Sequence, residues 1–60
     1  SIDTEKTNMD IFRNIPDFVF KQIDCFCIEH DGCQIEIYGR LQPFGFRVIY
    51  TNAENVILAK

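Results

Sequence analysis

The sequence has no tryptophan and no run of basic residues, and the lack of a basic run argues against a nucleic-acid binding protein. Its six lysines and arginines are scattered among nine acidic residues, which leaves a net charge of −3. Nucleic-acid binding proteins usually carry a basic stripe, because neutralising phosphates supplies much of their affinity. A weakly acidic chain more often binds another protein. We therefore expect a protein partner, and nucleic acid only where a local basic patch forms.

Long apolar runs, phosphate-binding glycine loops and an even set of cysteines are also missing. No stretch approaches the roughly 18 apolar residues of a membrane-spanning helix, and the N-terminal residues are polar, unlike a signal peptide. The three glycines lie in separate turns, none of which opens a helix. Three cysteines is an odd number, which argues against a disulfide framework. These features predict a cytoplasmic protein with no membrane association and no cofactor.

The sequence does contain enough apolar material for one small folded domain. Of its 60 residues 47% are hydrophobic, which distinguishes the chain from a disordered one. A domain of this length buries only about 60% of the surface of its unfolded chain, so a partner would help to stabilise it. We expect a single domain over residues 1–60, with residues 1–7 as a loose tail.

The N-terminal third of the chain predicts a helix that breaks near Pro16. Its apolar residues recur at the helical spacing of three and four: Ile11, Phe12, Ile15, Phe18 and Val19. Proline removes a backbone donor and disfavours helical dihedrals in the residue before it. We therefore expect one helix over about residues 8–14 and a second helical segment over about residues 16–21. An alternative is that residues 18–23 alternate as the start of a strand.

Asp31 and Gly32 form the strongest turn signal in the chain. They lie between the alternating runs 23–30 and 33–38, and a tight hairpin turn needs positive φ at both central residues. A two-residue turn fixes how these runs pair. One face, the predicted core, then carries Phe26, Ile28, Ile35 and Ile37. The other face carries Cys25, Cys27, Glu29, Gln34, Glu36 and Tyr38.

A second hairpin is predicted towards the C-terminus. Residues 42–45 read as a turn with proline at its second position, and a strand comes next over residues 44–51. A further turn leads to the last strand, residues 56–59, which is apolar on both faces and is predicted to lie at an edge of the sheet. The fold class is therefore α+β. A short N-terminal helix, broken near Pro16, packs on a three- to four-stranded antiparallel meander that can curl into a small barrel.

Three thiols and one imidazole lie close together in the sequence and are the ligand types of tetrahedral zinc: Cys25, Cys27, His30 and Cys33. The predicted hairpin places the first two on one face and the last two on the other, so the four cannot converge. We expect the cysteines to pack as small apolar side chains, and a zinc-stabilised module stays an alternative.

A cysteine nucleophile would also need a pocket and an oxyanion site. A chain of this size has little left to build them, so we expect no enzyme.

Residues 24–57 carry an order of turns that is found in a known family. The turn at residues 31–32 is followed by a G-x-L sequence, Gly39-Arg40-Leu41, and by a strand that ends at Asn52-Ala53-Glu54. This order resembles that of Sm-like RNA-binding barrels. The resemblance implies a small barrel, and nucleic-acid binding is the second hypothesis for the function. The residues that would make the contacts are Arg40, Arg47 and Tyr38.

The first hypothesis is a non-enzymatic protein-interaction module, such as an inhibitor, an adaptor or a small regulatory subunit. It would bind its partner through an exposed sheet face, an edge strand or the aromatic N-terminal segment. A homodimer through the last strand, residues 56–59, is a concrete form of this hypothesis. The residues predicted to form the interaction surface are Phe18, Phe20, Glu29, Glu36, Tyr38, Arg40, Arg47, Val56, Ile57 and Leu58.

Overall fold

The computed structural model describes residues 8–60, and the predicted loose tail of residues 1–7 lies outside the described part. In chain order the elements are α1 (Met9–Asn14), α2 (Asp17–Gln22), β1 (Cys25–Glu29), α3 (Gln34–Leu41), a 3-10 turn (Gln42–Phe44), β2 (Arg47–Thr51) and β3 (Asn55–Ala59). The three strands form one antiparallel sheet in the order β1-β3-β2. The predicted α+β class is confirmed. None of the helices within residues 8–60 has the length and apolar run needed to cross a bilayer.

The two N-terminal helices confirm the predicted break. Ile15, the residue before the proline, is extended (φ −72°, ψ 125°), which is the conformation that a following proline favours. Pro16 then serves as the N-cap of α2, where its missing N–H costs no hydrogen bond. At the other end, the Asn8 side chain caps α1 by accepting a hydrogen bond from the Ile11 N–H at 3.0 Å.

The predicted first hairpin is wrong, because the chain after the turn is helix α3 and not a strand. Asp31 and Gly32 do adopt positive φ, at 48° and 75°. Beyond them, Ile37 and Leu41 are four residues apart and fully buried on one helical face, while Ile35 is 85% exposed. Ile35 and Ile37 are two residues apart, which is the spacing of a strand face. The residues that pack in the core are instead Ile37 and Leu41, which are four residues apart, the spacing of a helix face.

Strand β3 takes the place beside β1 that the hairpin had assigned to residues 33–38. Phe26 lies opposite Leu58 and Ile28 lies opposite Val56, so four apolar side chains share the buried face. β2 pairs with the other side of β3. Strands β1 and β2 therefore run in the same direction with β3 between them, and α3 connects them as a split β-α-β unit. Only β2 and β3 form a hairpin as predicted.

The central place of β3 corrects several predictions about its residues. A strand that is paired on both sides has no free edge, so the homodimer through residues 56–59 loses its physical basis. Within residues 8–60 the sheet also has two open edges and is not the closed barrel that the Sm-like resemblance implies. An apolar strand is buried on its core face and paired on both sides here because that position removes the most apolar surface from water.

One hydrophobic core joins the helices to the sheet. Its buried members are Met9, Phe12, Phe20, Ile23, Phe26, Ile28, Ile37, Leu41, Phe46, Val56 and Leu58. Three phenylalanine rings from α1, α2 and β1 pack together with centroids 5.5–5.9 Å apart, a spacing typical of favourable aromatic pairs. Phe20, Val56 and Leu58 were predicted to be interaction residues, and that prediction is wrong because all three are fully buried in this core.

Candidate functional site: the cleft beside strand β2

Strand β2 lies at an edge of the sheet and is exposed along its whole length. It pairs with β3 on one side, and within residues 8–60 no strand pairs with its other side. Val48, Ile49 and Tyr50 are 39%, 58% and 53% exposed. An edge strand leaves alternate backbone N–H and C=O groups without partners, and proteins usually protect such an edge with charge or distortion. An apolar strand edge that is left exposed is therefore a candidate binding surface.

A β-bulge divides this edge into two short halves. The register with β3 shifts between Val48 and Tyr50, so Ile49 is an extra residue without a partner in β3. Bulges twist an edge and interrupt regular pairing, which limits open-ended association of strands. The regular part that stays beside the helical layer is the first half, Arg47 and Val48.

A cleft of about 320 Å³ separates this half of β2 from α3. Its lining residues are Tyr38, Gln42, Phe46, Arg47, Val48 and Leu58. The helical wall, α3, and the strand wall, β2, follow one another in the sequence and are joined by a short turn. The chain reverses direction in this turn at Gly45, whose φ of 90° is a backbone conformation that favours glycine. Leu58 of the central strand forms an apolar, fully buried floor. The cleft is therefore a groove between a helix and a free strand edge.

Three polar side chains of this cleft lack partners among the residues that the structure describes. The Tyr38 hydroxyl, the Gln42 amide and the Arg47 guanidinium make no hydrogen bond or ion pair with any residue in the range 8–60. Arg47 is the one charged residue among those described in the lining. Tyr38 and Arg47 were both predicted as interaction residues, and the structure brings them to the same cleft. Tyr38 and Gln42 offer hydrogen-bond donors beside an apolar floor, while Arg47 offers a positive charge from the outer face of β2.

Arg40 was predicted to contact a partner, but it contacts the protein's own helices. Its guanidinium donates to the backbone carbonyls of Phe12 and Ile15, at the end of α1, and lies 3.2 Å from the Asp17 carboxylate at the start of α2. It also lies over the rings of Phe12 and Phe20, at 5.2 and 4.7 Å from their centroids. Such cation–π contacts are favourable when partly desolvated. Arg40 therefore joins α1, α2 and α3.

Glu36 also belongs to the helical layer and not to a sheet face. The Arg13 guanidinium donates two hydrogen bonds to its carboxylate, at 2.9 and 3.0 Å. That hydrogen bond, together with the positive charge, holds the pKa of Glu36 below its ordinary value. The prediction that Glu29 and Glu36 share one sheet face is wrong, because Glu29 ends β1 while Glu36 lies in the first turn of α3.

Three further predicted residues share the sheet face that points away from the core. Glu29, Ile57 and Arg47 occupy positions on this outer face, since their partners across the sheet are Asn55, Tyr50 and Ala59 in the same alternation. Glu29 and Arg47 are exposed and Ile57 is half-buried. The prediction missed Tyr50, which lies beside Ile57 on this face. The apolar run of residues 48–50 is the sequence signal that could have identified it.

Phe18 is exposed on α2, away from the cleft. The adjoining groove between α1 and α2 has about 530 Å³ and is lined by Asp10, Ile11, Asn14, Ile15, Pro16 and Val19. Its polar side chains already have partners: the Asn14 amide donates to the Asp10 carbonyl at 2.7 Å, and the Asp10 carboxylate lies 3.9 Å from Arg13. Nothing in this groove therefore indicates the chemistry of an occupant.

The histidine and cysteines do not converge on a metal. Within residues 8–60 no group of three or more His, Cys, Asp or Glu side chains is placed to hold an ion. His30 is buried and accepts the Gly32 N–H at Nδ1, at 3.0 Å, so the proton resides on Nε2 and is donated to the Asn52 carbonyl at 2.9 Å. His30 therefore joins the turn before α3 to the β2–β3 turn. Across the described range, the zinc alternative has no ligand set.

Comparison with protein-family models, with curated proteins and with solved structures gives no match.

Proposed function

We propose that this protein is a non-enzymatic protein-interaction module that binds an extended segment of a partner along the free edge of β2. The observation that supports this most strongly is the groove between α3 and β2, which has hydrogen-bond donors on its walls and an apolar floor. A strand that adds to a sheet edge gains affinity from backbone hydrogen bonds and specificity from pockets for alternate side chains. Both parts are available at this edge.

The proposal extends to the protein's cellular role, as an adaptor or regulator, and to its location in the cytoplasm. An inhibitor, an adaptor and a regulatory subunit all need a docking surface without chemistry, and this cleft is of that kind. Cys25 and Cys33 are free thiols, a state that a reducing compartment favours. We therefore propose a cytoplasmic adaptor or regulator.

Nucleic-acid binding has weaker support at this surface. The hypothesis depended on Arg40, Arg47 and Tyr38 acting together, but Arg40 hydrogen-bonds the ends of two helices. A single arginine can neutralise about one phosphate, whereas useful affinity for nucleic acid comes from several such contacts. The protein partner is therefore the stronger proposal.

Peptides selected from an unbiased display library test the proposal. We expect selected peptides to shift the backbone amide NMR signals of β2 and of Tyr38 and Gln42. Val48→Lys should weaken their binding about tenfold or more, because it places a charge in the apolar part of the cleft. Ile11→Lys, at an exposed aliphatic position on α1, is the control and should have no effect. Signals that shift only around α1 and α2, or tighter binding to a single-stranded oligonucleotide, would refute the proposal.

A further inference from the structure

We infer that the segment bound at β2 carries an acidic residue next to an aliphatic one. This inference rests on the proposed function and specifies its partner. Arg47 and Val48 are consecutive residues in the regular half of the edge, and both line the cleft. The side chains of two consecutive strand residues point to opposite faces. A strand added beside them therefore presents one residue to each, and these two residues are adjacent in the partner's sequence.

The positive charge of Arg47 indicates that the first of the two partner residues is acidic. Two other arginines have carboxylate partners: Arg13 pairs with Glu36 at 2.9 Å and Arg40 with Asp17 at 3.2 Å. Arg47 has none among the described residues, although the chain has an excess of acidic residues. A guanidinium presents a planar set of donors that fits a carboxylate with two hydrogen bonds. A carboxylate on the bound segment completes the pairing that residues 8–60 leave open.

The apolar side chains of the cleft indicate that the second partner residue is aliphatic. Val48 points to the core side of the sheet, as Leu58 does opposite it, and Phe46 is buried beside them. A residue placed next to Val48 in an added strand would pack beside Val48 on the core side of the sheet, and an aliphatic side chain there would remove apolar surface from water. Tyr38 and Gln42, on the helical wall, provide polar groups for the backbone of the segment.

A second copy of this chain fits the cleft less well than an acidic peptide. β2 itself contains no acidic residue, so pairing β2 with β2 would leave Arg47 without a carboxylate. The strand that does end in an aliphatic and an acidic residue is β1, with Ile28 and Glu29, but Ile28 is fully buried in the protein's own core. The bulge at Ile49 also limits continuous pairing between copies.

Two blocked hexapeptides of alternating sequence test the inference, one with a glutamate between two valines and the other with glutamine in its place. We expect the glutamate peptide to bind about tenfold more tightly, as a charge-assisted hydrogen bond implies. Arg47→Gln should remove this preference and Arg47→Lys should retain part of it. Lys21→Gln removes the same charge from an exposed site on α2 and should preserve the preference.

The outcomes separate the inference from the proposal on which it rests. Equal binding of both peptides, or a preference that survives in Arg47→Gln, overturns the acidic partner while the β2 docking site stands if β2 amide signals still shift. Peptides from the unbiased library that bind elsewhere overturn the docking site itself. Concentration-dependent self-association that Arg47→Gln leaves unchanged, with no binding of either hexapeptide, overturns the peptide partner in favour of a second copy.

Discussion

Arg40 and Arg47 are separated by a short stretch of chain and have opposite roles. Arg40 lies between two helix ends, where it donates to two backbone carbonyls and pairs with Asp17. Arg47 is exposed at a strand edge and has no partner among the residues that the structure describes. The comparison shows that an arginine stabilises the fold where helix ends leave carbonyls unsatisfied. Arg47 lies instead at an exposed sheet edge and pairs with none of the described residues, so its guanidinium is available for a partner.

The largest expected effect is the loss of stability in Arg40→Gln. This change removes charge-assisted hydrogen bonds to the carbonyls of Phe12 and Ile15, and the Phe12 carbonyl keeps the Ile15 N–H, at 3.2 Å, as its donor. We expect the free energy of unfolding, measured by urea titration, to fall by about 2–3 kcal/mol, since the site is only partly exposed. Arg47→Gln is the control and should change it by less than about 0.5 kcal/mol. Equal effects of the two changes would contradict the distinction between the arginines.

A smaller effect is expected at the turn that separates the two arginines. Gly45 has φ 90°, so Gly45→Ala should lower the free energy of unfolding by roughly 1–2 kcal/mol. Gly39→Ala is the matched control, because Gly39 is inside α3 and, apart from its chain neighbours and the backbone of its own helix, no described atom lies within 4 Å of an added Cβ. It should raise stability by about 0.5–1 kcal/mol. Thermal unfolding of both variants checks the sign, and destabilisation by Gly39→Ala would show that α3 is not helical there.

The smallest expected effect concerns Glu36, which joins α3 to α1 as Arg40 does but at the surface. Its pKa is lowered in the folded protein, so its contribution to stability is present above the ordinary pKa of 4.5 and is lost as the pH falls through the lowered value. We expect the wild type to lose more thermal stability than Glu36→Gln between pH 6 and roughly pH 3. Glu29→Gln is the control, and parallel curves for wild type and Glu36→Gln would show that the Arg13 pair contributes nothing.

The sequence predicted the local structure best where chemistry restricts the backbone directly. Pro16 ended one helix and began the next, and the β2–β3 turn was predicted from the polar residues between two apolar runs. The first hairpin was wrong because Asp31 and Gly32 specify a turn but not the type of element that comes after it. Residues 33–38 alternate in polarity, yet the sheet position beside β1 went to β3, which could bury more apolar surface. That competition between distant segments is not visible in either segment alone.

The candidate site was predicted in part. Tyr38 and Arg47 were both expected on a sheet face; Tyr38 lies instead on α3, whereas Arg47 does lie on the outer face of the sheet, and both line the cleft. Gln42 and Val48 were missed, because their role arises only when α3 packs beside β2. Phe20, Val56 and Leu58 were misassigned since an apolar residue in a sequence gives no indication of whether a neighbour covers it. Contacts between elements, and not residue type, decided each of these outcomes.

The different roles of Arg40 and Arg47 can be measured directly by ¹⁵N relaxation of the arginine side-chain Nε–H groups. The account predicts an ordered Arg40 side chain and a mobile Arg47 side chain in the protein alone. Addition of the glutamate hexapeptide should order Arg47 and leave Arg40 unchanged. A mobile Arg40, or an Arg47 that stays mobile while the peptide is bound at β2, would contradict it.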